Sequence, residues 1–158
     1  MGIVGYSQGG AGALRVVSVL GGDKYFKTIF TGSAAYPKLS KNMGWEYYYD
    51  NIKIPYFMTA ATGNSDDRGI KINSDEFAGV APLESLELIY NNIPENILKV
   101  RARVSNSEHQ DMLIKTDGYM TAWMLYHLKN DKESGKVFIG DDAEILTNKN
   151  WQDIKKNQ

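Results

Sequence analysis

Apolar positions along the chain fall into two alternating rhythms. Residues 2–6 form a short apolar run of strand length, and residues 9–20 follow with Ala11, Leu14, Val17 and Leu20 along one helical face. Gly21-Gly22-Asp23 stops that helix. Residues 27–32 (KTIFTG) are rich in β-formers and read as a second strand, followed over 33–42 by turn residues and a proline. Residues 54–61 (IPYFMTAA) are nearly all apolar, as suits a strand covered on both faces of a parallel sheet. The stretch 62–79, dense in Gly, Asn, Ser and Asp, reads as loop. Pro82 then stands where a first helical turn tolerates it, ahead of an amphipathic helix over 83–92. A fourth strand is expected over 99–104, a polar turn over 105–110, and a helix with aromatic and aliphatic residues on most faces over 117–128. The tail, 131–158, reads as two short helices around Gly140-Asp141-Asp142. No internal repeat or low-complexity tract interrupts this order.

Strand and helix alternate, which is the mark of the α/β class. The expectation is a parallel sheet of about four strands with helices on both faces, built as one domain over residues 1–158. A net charge of −1 gives no general attraction to nucleic acid or to an anionic membrane surface. With no cysteine, the chain has no disulfide, no thiolate zinc site and no cysteine nucleophile. No apolar run approaches the length of a membrane span, and no signal-peptide pattern is seen.

Serine is left as the natural nucleophile, and one serine stands in a telling context. Gly5-Tyr6-Ser7-Gln8-Gly9 is a G-x-S-x-G pentapeptide between an apolar strand and a helix, the pattern of a nucleophile elbow. Such a turn is expected to need glycine two positions either side of the serine, to avoid steric clash. It would also aim the first helical amides, beginning with that of Gln8, at a developing oxyanion. A glycine-rich turn that cradles phosphate is the other use of such a segment, but no Lys follows in P-loop spacing. A serine hydroxyl needs a base, and the base needs a carboxylate. Of the two histidines, His109 lies in the polar turn after the last expected strand, whereas His127 is flanked by Tyr126 and Leu128 within a helix and reads as a structural or surface residue. The acid is expected in the loop after the third strand, where Asp66 is the first choice and Asp67 the second; Asp75 and Asp111 are weaker candidates. Tyr6, beside the nucleophile, and Trp45, Tyr47 and Tyr48 are candidates to border an acyl pocket.

The segments GYSQGG, IPYFMTAATGNSD, APLESLELIYNNIP and SEHQDMLIKTDGYMTAWMLYHLKND together resemble the α/β-hydrolase superfamily. Within it they look like the bacterial branch related to dienelactone hydrolases, platelet-activating-factor acetylhydrolases and polyester-degrading cutinases. The most specific part is a histidine turn followed by a helix with tryptophan and then Leu-x-x-Asp, here His109, Trp123, Leu128 and Asp131. The resemblance runs to about Ile145. It implies Ser7 as nucleophile, Asp66 as acid, His109 as base and Gln8 as one oxyanion donor through its N–H. Two departures stand out: the loop over 66–80 is longer than in compact cutinases, and the family's first four strands, with the loop that gives the second oxyanion N–H, would lie upstream of Met1. One missing oxyanion donor costs about 10²- to 10³-fold in rate.

The expectation is therefore the C-terminal half of an α/β-hydrolase fold that hydrolyses a carboxylic ester through an acyl-enzyme, with no metal or organic cofactor. Its substrate would be a small-molecule, lipid or polymer ester. A catalytically impaired fragment or binding module is the rival from another class, and an acyltransferase or peptidase would use the same three residues. The first strand would expose an unpaired edge, so a homo-oligomer or a complementing N-terminal segment is expected as partner.

Overall fold

A computed structural model describes residues 1–158. The chain forms a single five-stranded sheet in sequential order, β1 (Gly2–Tyr6), β2 (Thr28–Gly32), β3 (Tyr56–Ala61), β4 (Lys99–Val104) and β5 (Trp151–Lys156). The first four strands are parallel to their neighbours, and β5 runs antiparallel to β4. The helices are α1 (Gln8–Ser18), α2 (Pro37–Asn42), α3 (Leu83–Asn92), α4 (Met112–Lys115), α5 (Asp117–Lys129) and α6 (Lys132–Gly135), with short 3-10 turns between. The α/β class and the two covered faces agree with the apolar pattern. The sheet is mixed, however, rather than purely parallel.

The two faces carry separate cores because strand side chains alternate. On one face, Ile29, Tyr56, Met58 and Ala60 meet Leu14 and Val17 of α1 and Leu86 and Ile89 of α3. On the other, Phe30, Phe57, Val100 and Ala102 meet Trp123 of α5 together with Phe138, Ile145 and Trp151. Phe57 sits at the centre of an aromatic group with Trp123, Phe138 and Trp151, ring centroids 5.1 to 5.9 Å away. Trp123 is wholly buried, and its indole N–H donates to Thr28 Oγ1 at 2.7 Å, so the buried donor is satisfied.

β4 shows how one strand serves both faces. Val100, Ala102 and Val104 enter the second core, while Lys99, Arg101 and Arg103 point to the α3 side and are matched there by carboxylates. Lys99, fully buried, donates to the carbonyls of Tyr90 and Ile93 at the end of α3 and to Glu95, so its charge caps the helix.

The tail has short helical turns on either side of Gly140-Asp141-Asp142, as expected, at α6 and at Glu144–Leu146, but it ends in a strand, β5, that the expectation lacked. Trp151 and Ile154 both pack on the second core although they are three residues apart, a spacing that suggests a helix. A β-bulge explains it: the register against β4 shifts between Arg101 and Arg103, and Asp153 takes φ 52° in the extra position. No helix is long and apolar enough to cross a membrane.

Candidate active site

The C-terminal ends of β1, β3 and β4 deliver the chemistry. Ser7 lies between β1 and α1 with φ 55° and ψ −125°, a conformation that a residue bearing Cβ rarely adopts. Its amide donates to the Gly32 carbonyl at 2.9 Å, and its carbonyl accepts from the amides of Gly10, Ala11 and Ala35, so the turn is tied both to the helix and to the end of β2. The close approach of strand and helix demands glycine at Gly5, where a Cβ would strike the Gly9 carbonyl, and at Gly10, where it would lie 2.7 Å from the Ala34 Cβ. Gly9 itself faces open space. The steric expectation therefore holds on the strand side of Ser7 but moves one residue along on the helix side. Of the first four helical amides, those of Gly10 and Ala11 turn back to the Ser7 carbonyl, whereas the N–H groups of Gln8 and Gly9, which follow Ser7 in the chain, have no backbone partner.

His109 opens the 3-10 turn that follows β4. Its Nε2 is 2.9 Å from Ser7 Oγ, and its Nδ1 is 2.6 Å from Asp66 Oδ1. Asp66 is fully buried, and its other oxygen accepts from the Ala61 amide at 2.8 Å and from the Ser33 hydroxyl. Of the two adjacent carboxylates it is Asp66 that reaches His109. Asp67 turns away to Arg103 at 2.6 Å, to the Leu83 amide before α3 and to the Gly69 amide. Arg103 is held from the other side by Asp153 of the bulge at 2.8 Å. Asp111 likewise points off the ring: its carboxylate accepts from the Glu108 amide at 2.9 Å.

Tyr6 supports the base. Its hydroxyl donates to the His109 carbonyl at 2.9 Å and its ring lies 4.8 Å from the imidazole, centroid to centroid. Burial first, and then the negative charges of Asp66 and Asp111, push its hydroxyl pKa up, so it remains a donor. Tyr47 is taken into the core, with its hydroxyl on the Ala35 carbonyl, and Trp45 packs over Gly12 of α1. Tyr48 is exposed and bonds Glu46.

Three partners of the site are not singled out by the sequence. Ser33 bonds the acid. Ser65 and Glu108 join the loop of the acid to the turn of the base, with Glu108 Oε2 accepting from the Ser65 amide at 3.0 Å and its hydroxyl at 2.5 Å. Those bonds, led by the hydroxyl, hold the Glu108 carboxyl below its ordinary range. The loops close so tightly there that a Cβ on Gly63 would fall on the Glu108 carboxylate. Ser65 and Glu108 lie within the segments that carry the resemblance and Ser33 outside them, but no pattern gives any of the three a role; each is placed by contacts between loops far apart in the chain.

His127 has a different setting. Its ring lies 4.3 Å from Trp123 and 4.8 Å from Tyr126, and its Nε2 is buried without a hydrogen-bond partner. No group of three or more His, Cys, Asp or Glu side chains is arranged to hold a metal ion. No protein-family model and no curated protein sequence matches the chain.

In chemical terms the arrangement is a relay. A hydroxyl at a strained turn faces a ring nitrogen, the opposite ring nitrogen faces a buried carboxylate, and two unpaired amides follow the serine at the helix start.

Proposed function

We propose that the chain is a serine hydrolase of the α/β-hydrolase superfamily that cleaves carboxylic esters. The observation that carries this reading is the unbroken line from Ser7 Oγ through His109 to Asp66, with contacts of 2.9 and 2.6 Å. In this reading His109 Nε2 takes the proton of Ser7 as Oγ attacks the ester carbonyl. The tetrahedral oxyanion accepts hydrogen bonds from the amides of Gln8 and Gly9. As it collapses, the bond to the leaving alcohol breaks and His109 returns the proton to that oxygen. Water then enters, gives its proton to His109 and attacks the acyl carbonyl; as that intermediate collapses the bond to Oγ breaks, His109 returns the proton to Ser7 Oγ, and the acid leaves. Asp66 stays ionised throughout and fixes the tautomer with the proton on Nδ1.

A fluorophosphonate probe tests the reading without knowledge of the substrate. The wild-type protein is labelled and Ser7→Ala is not; an unlabelled, folded wild type refutes an activated nucleophile. Hydrolysis of a p-nitrophenyl ester series of increasing acyl length then defines the acyl preference.

The reading also assigns a partner to the outer edge of β1. Lys27 donates to the Met1 carbonyl and Ser7 to the Gly32 carbonyl, so the alternate residues Gly2, Val4 and Tyr6 direct their backbone groups to the unpaired side. Val4, Leu125 and Leu128 are exposed apolar side chains along the same side. A second copy of the chain or a complementing N-terminal segment covers this edge, and light scattering on residues 1–158 at tens of micromolar checks it: a stable monomer of these residues refutes the need for a cover.

A further inference from the structure

Ser33 stands where the backbone asks for glycine. It follows the last residue of β2 and takes φ 47°, in the left-handed region where a Cβ is strained. The residue before it, Gly32, has no such φ, and a Cβ there would meet only ordinary contacts, the nearest 3.6 Å away. The sequence thus places glycine at the permissive position and serine at the strained one. Backbone economy does not explain that choice. The hydroxyl does: Ser33 is fully buried, its amide is anchored on the Thr59 carbonyl at 2.7 Å, and its Oγ donates to Asp66 Oδ2 from 33 residues away.

We infer that Ser33 is a positioning residue for the acid, its hydroxyl fixing the rotation of the Asp66 carboxylate so that Oδ1 faces His109. The inference rests on the hydrolase reading and deepens it. Oδ2 has two donors, the Ala61 amide and the Ser33 hydroxyl. With the amide alone on Oδ2, only His109 holds the other oxygen, so the carboxylate no longer fixes the ring independently and the alignment loosens. More negative charge also rests on the carboxylate, which favours the protonated imidazole. The other ionisable groups about the pair keep their partners when Ser33 changes. Tyr6 of β1 stays on the His109 carbonyl, Asp67 on Arg103 of β4, Glu108 on Ser65, and Asp111 on the Glu108 amide.

The test compares Ser33→Ala, which keeps the strain and loses the hydroxyl, with Ser33→Gly, which loses both. Fluorophosphonate labelling rates are measured across pH, and thermal unfolding is followed in parallel. Both variants are expected to label about ten-fold more slowly on the pH plateau, the worth of one hydrogen bond to a charged group. Their acid limbs move to higher pH, and Ser33→Gly melts no lower than Ser33→Ala. Recovery of the wild-type rate in Ser33→Gly overturns the inference, because the side chain would then matter only through backbone strain. Wild-type rates and an unmoved acid limb in both variants overturn it as well. An unlabelled wild type, or labelling that survives Ser7→Ala, is a separate result that removes the hydrolase reading and this inference with it.

Discussion

The two histidines of this chain have the same side chain and opposite surroundings. His109 sits in a turn between loops, with each ring nitrogen within 3 Å of an oxygen, at 2.6 and 2.9 Å. His127 sits on a regular helix among aromatic rings, with Nε2 buried and unpaired. Both ring nitrogens of His109 thus have a partner, which is what the proposed proton transfer requires. Burial in the other region removes the solvent that would support a charge, and pushes the His127 pKa down to about 4. Partners at both nitrogens, rather than ring placement near a core, separate the histidine of the proposed mechanism from the packed one.

Exchange of each ring for one that cannot titrate sharpens this contrast most. His109→Asn is expected to lower fluorophosphonate labelling by about 10⁴-fold, whereas His127→Asn leaves it within about two-fold. Comparable losses in both would mean that the second histidine also serves the chemistry. The adjacent carboxylates divide in the same way. Asp66→Asn should cost about 10⁴-fold in labelling rate with the fold intact, because the amide favours the wrong tautomer of His109. Asp67→Asn should leave the rate nearly unchanged and cost about 2 kcal/mol of stability, since Arg103 then keeps only Asp153 as an anionic partner. A urea titration beside the labelling assay separates the two; reversed effects would move the acid by one residue.

A smaller effect is expected at the join between the two site loops. Glu108→Ala removes the acceptor of both Ser65 hydrogen bonds and should slow labelling about ten-fold. Glu108→Gln retains an oxygen at the same place and should recover most of the rate. If the two variants are equally slow, the charge of Glu108 matters, rather than its hold on the loop.

The sequence made the repeating parts of this molecule legible and hid the parts built by closure. β4 and α3 could be read to the residue because a strand of alternating character and an amphipathic helix are periodic. Ser7 and His109 were legible as a turn motif and as one of only two histidines, each at the end of a strand. Asp66 could be ranked ahead of Asp67 from its place in the loop, but which way each side chain turns shows only in the fold, where Ser33 holds one and Arg103 the other. β5 was hidden for a local reason, the bulge at Asp153 that turns a period of two into a spacing of three. Gly10 shows the same limit: the motif draws attention to Gly9, and only the packing of α1 on Ala34 reveals which glycine the turn requires.

The smallest effect concerns stability, and it separates the two histidines by pH. At pH values above 6.5 the His127 ring is neutral in both the folded and the unfolded chain, so it contributes no pH dependence. Between pH 6.5 and about 4 the unfolded chain binds a proton that the folded chain refuses, so stability falls as pH falls through this window. Below it both states are protonated and the contribution is spent. The expected loss is about 1 to 2 kcal/mol, once solvent screening of the partly exposed ring is allowed for. His127→Phe keeps an aromatic ring against Trp123 and Tyr126 and cannot titrate. Its unfolding free energy, measured by urea at pH 7.5 and pH 4.5, should fall by less than that of the wild type over the same interval. Carboxylates elsewhere titrate in both proteins, so the difference between them isolates His127. Parallel decline in the two would show that the ring is protonated as readily in the folded chain as in the unfolded one, and that the aromatic setting of His127 does not set it apart from His109.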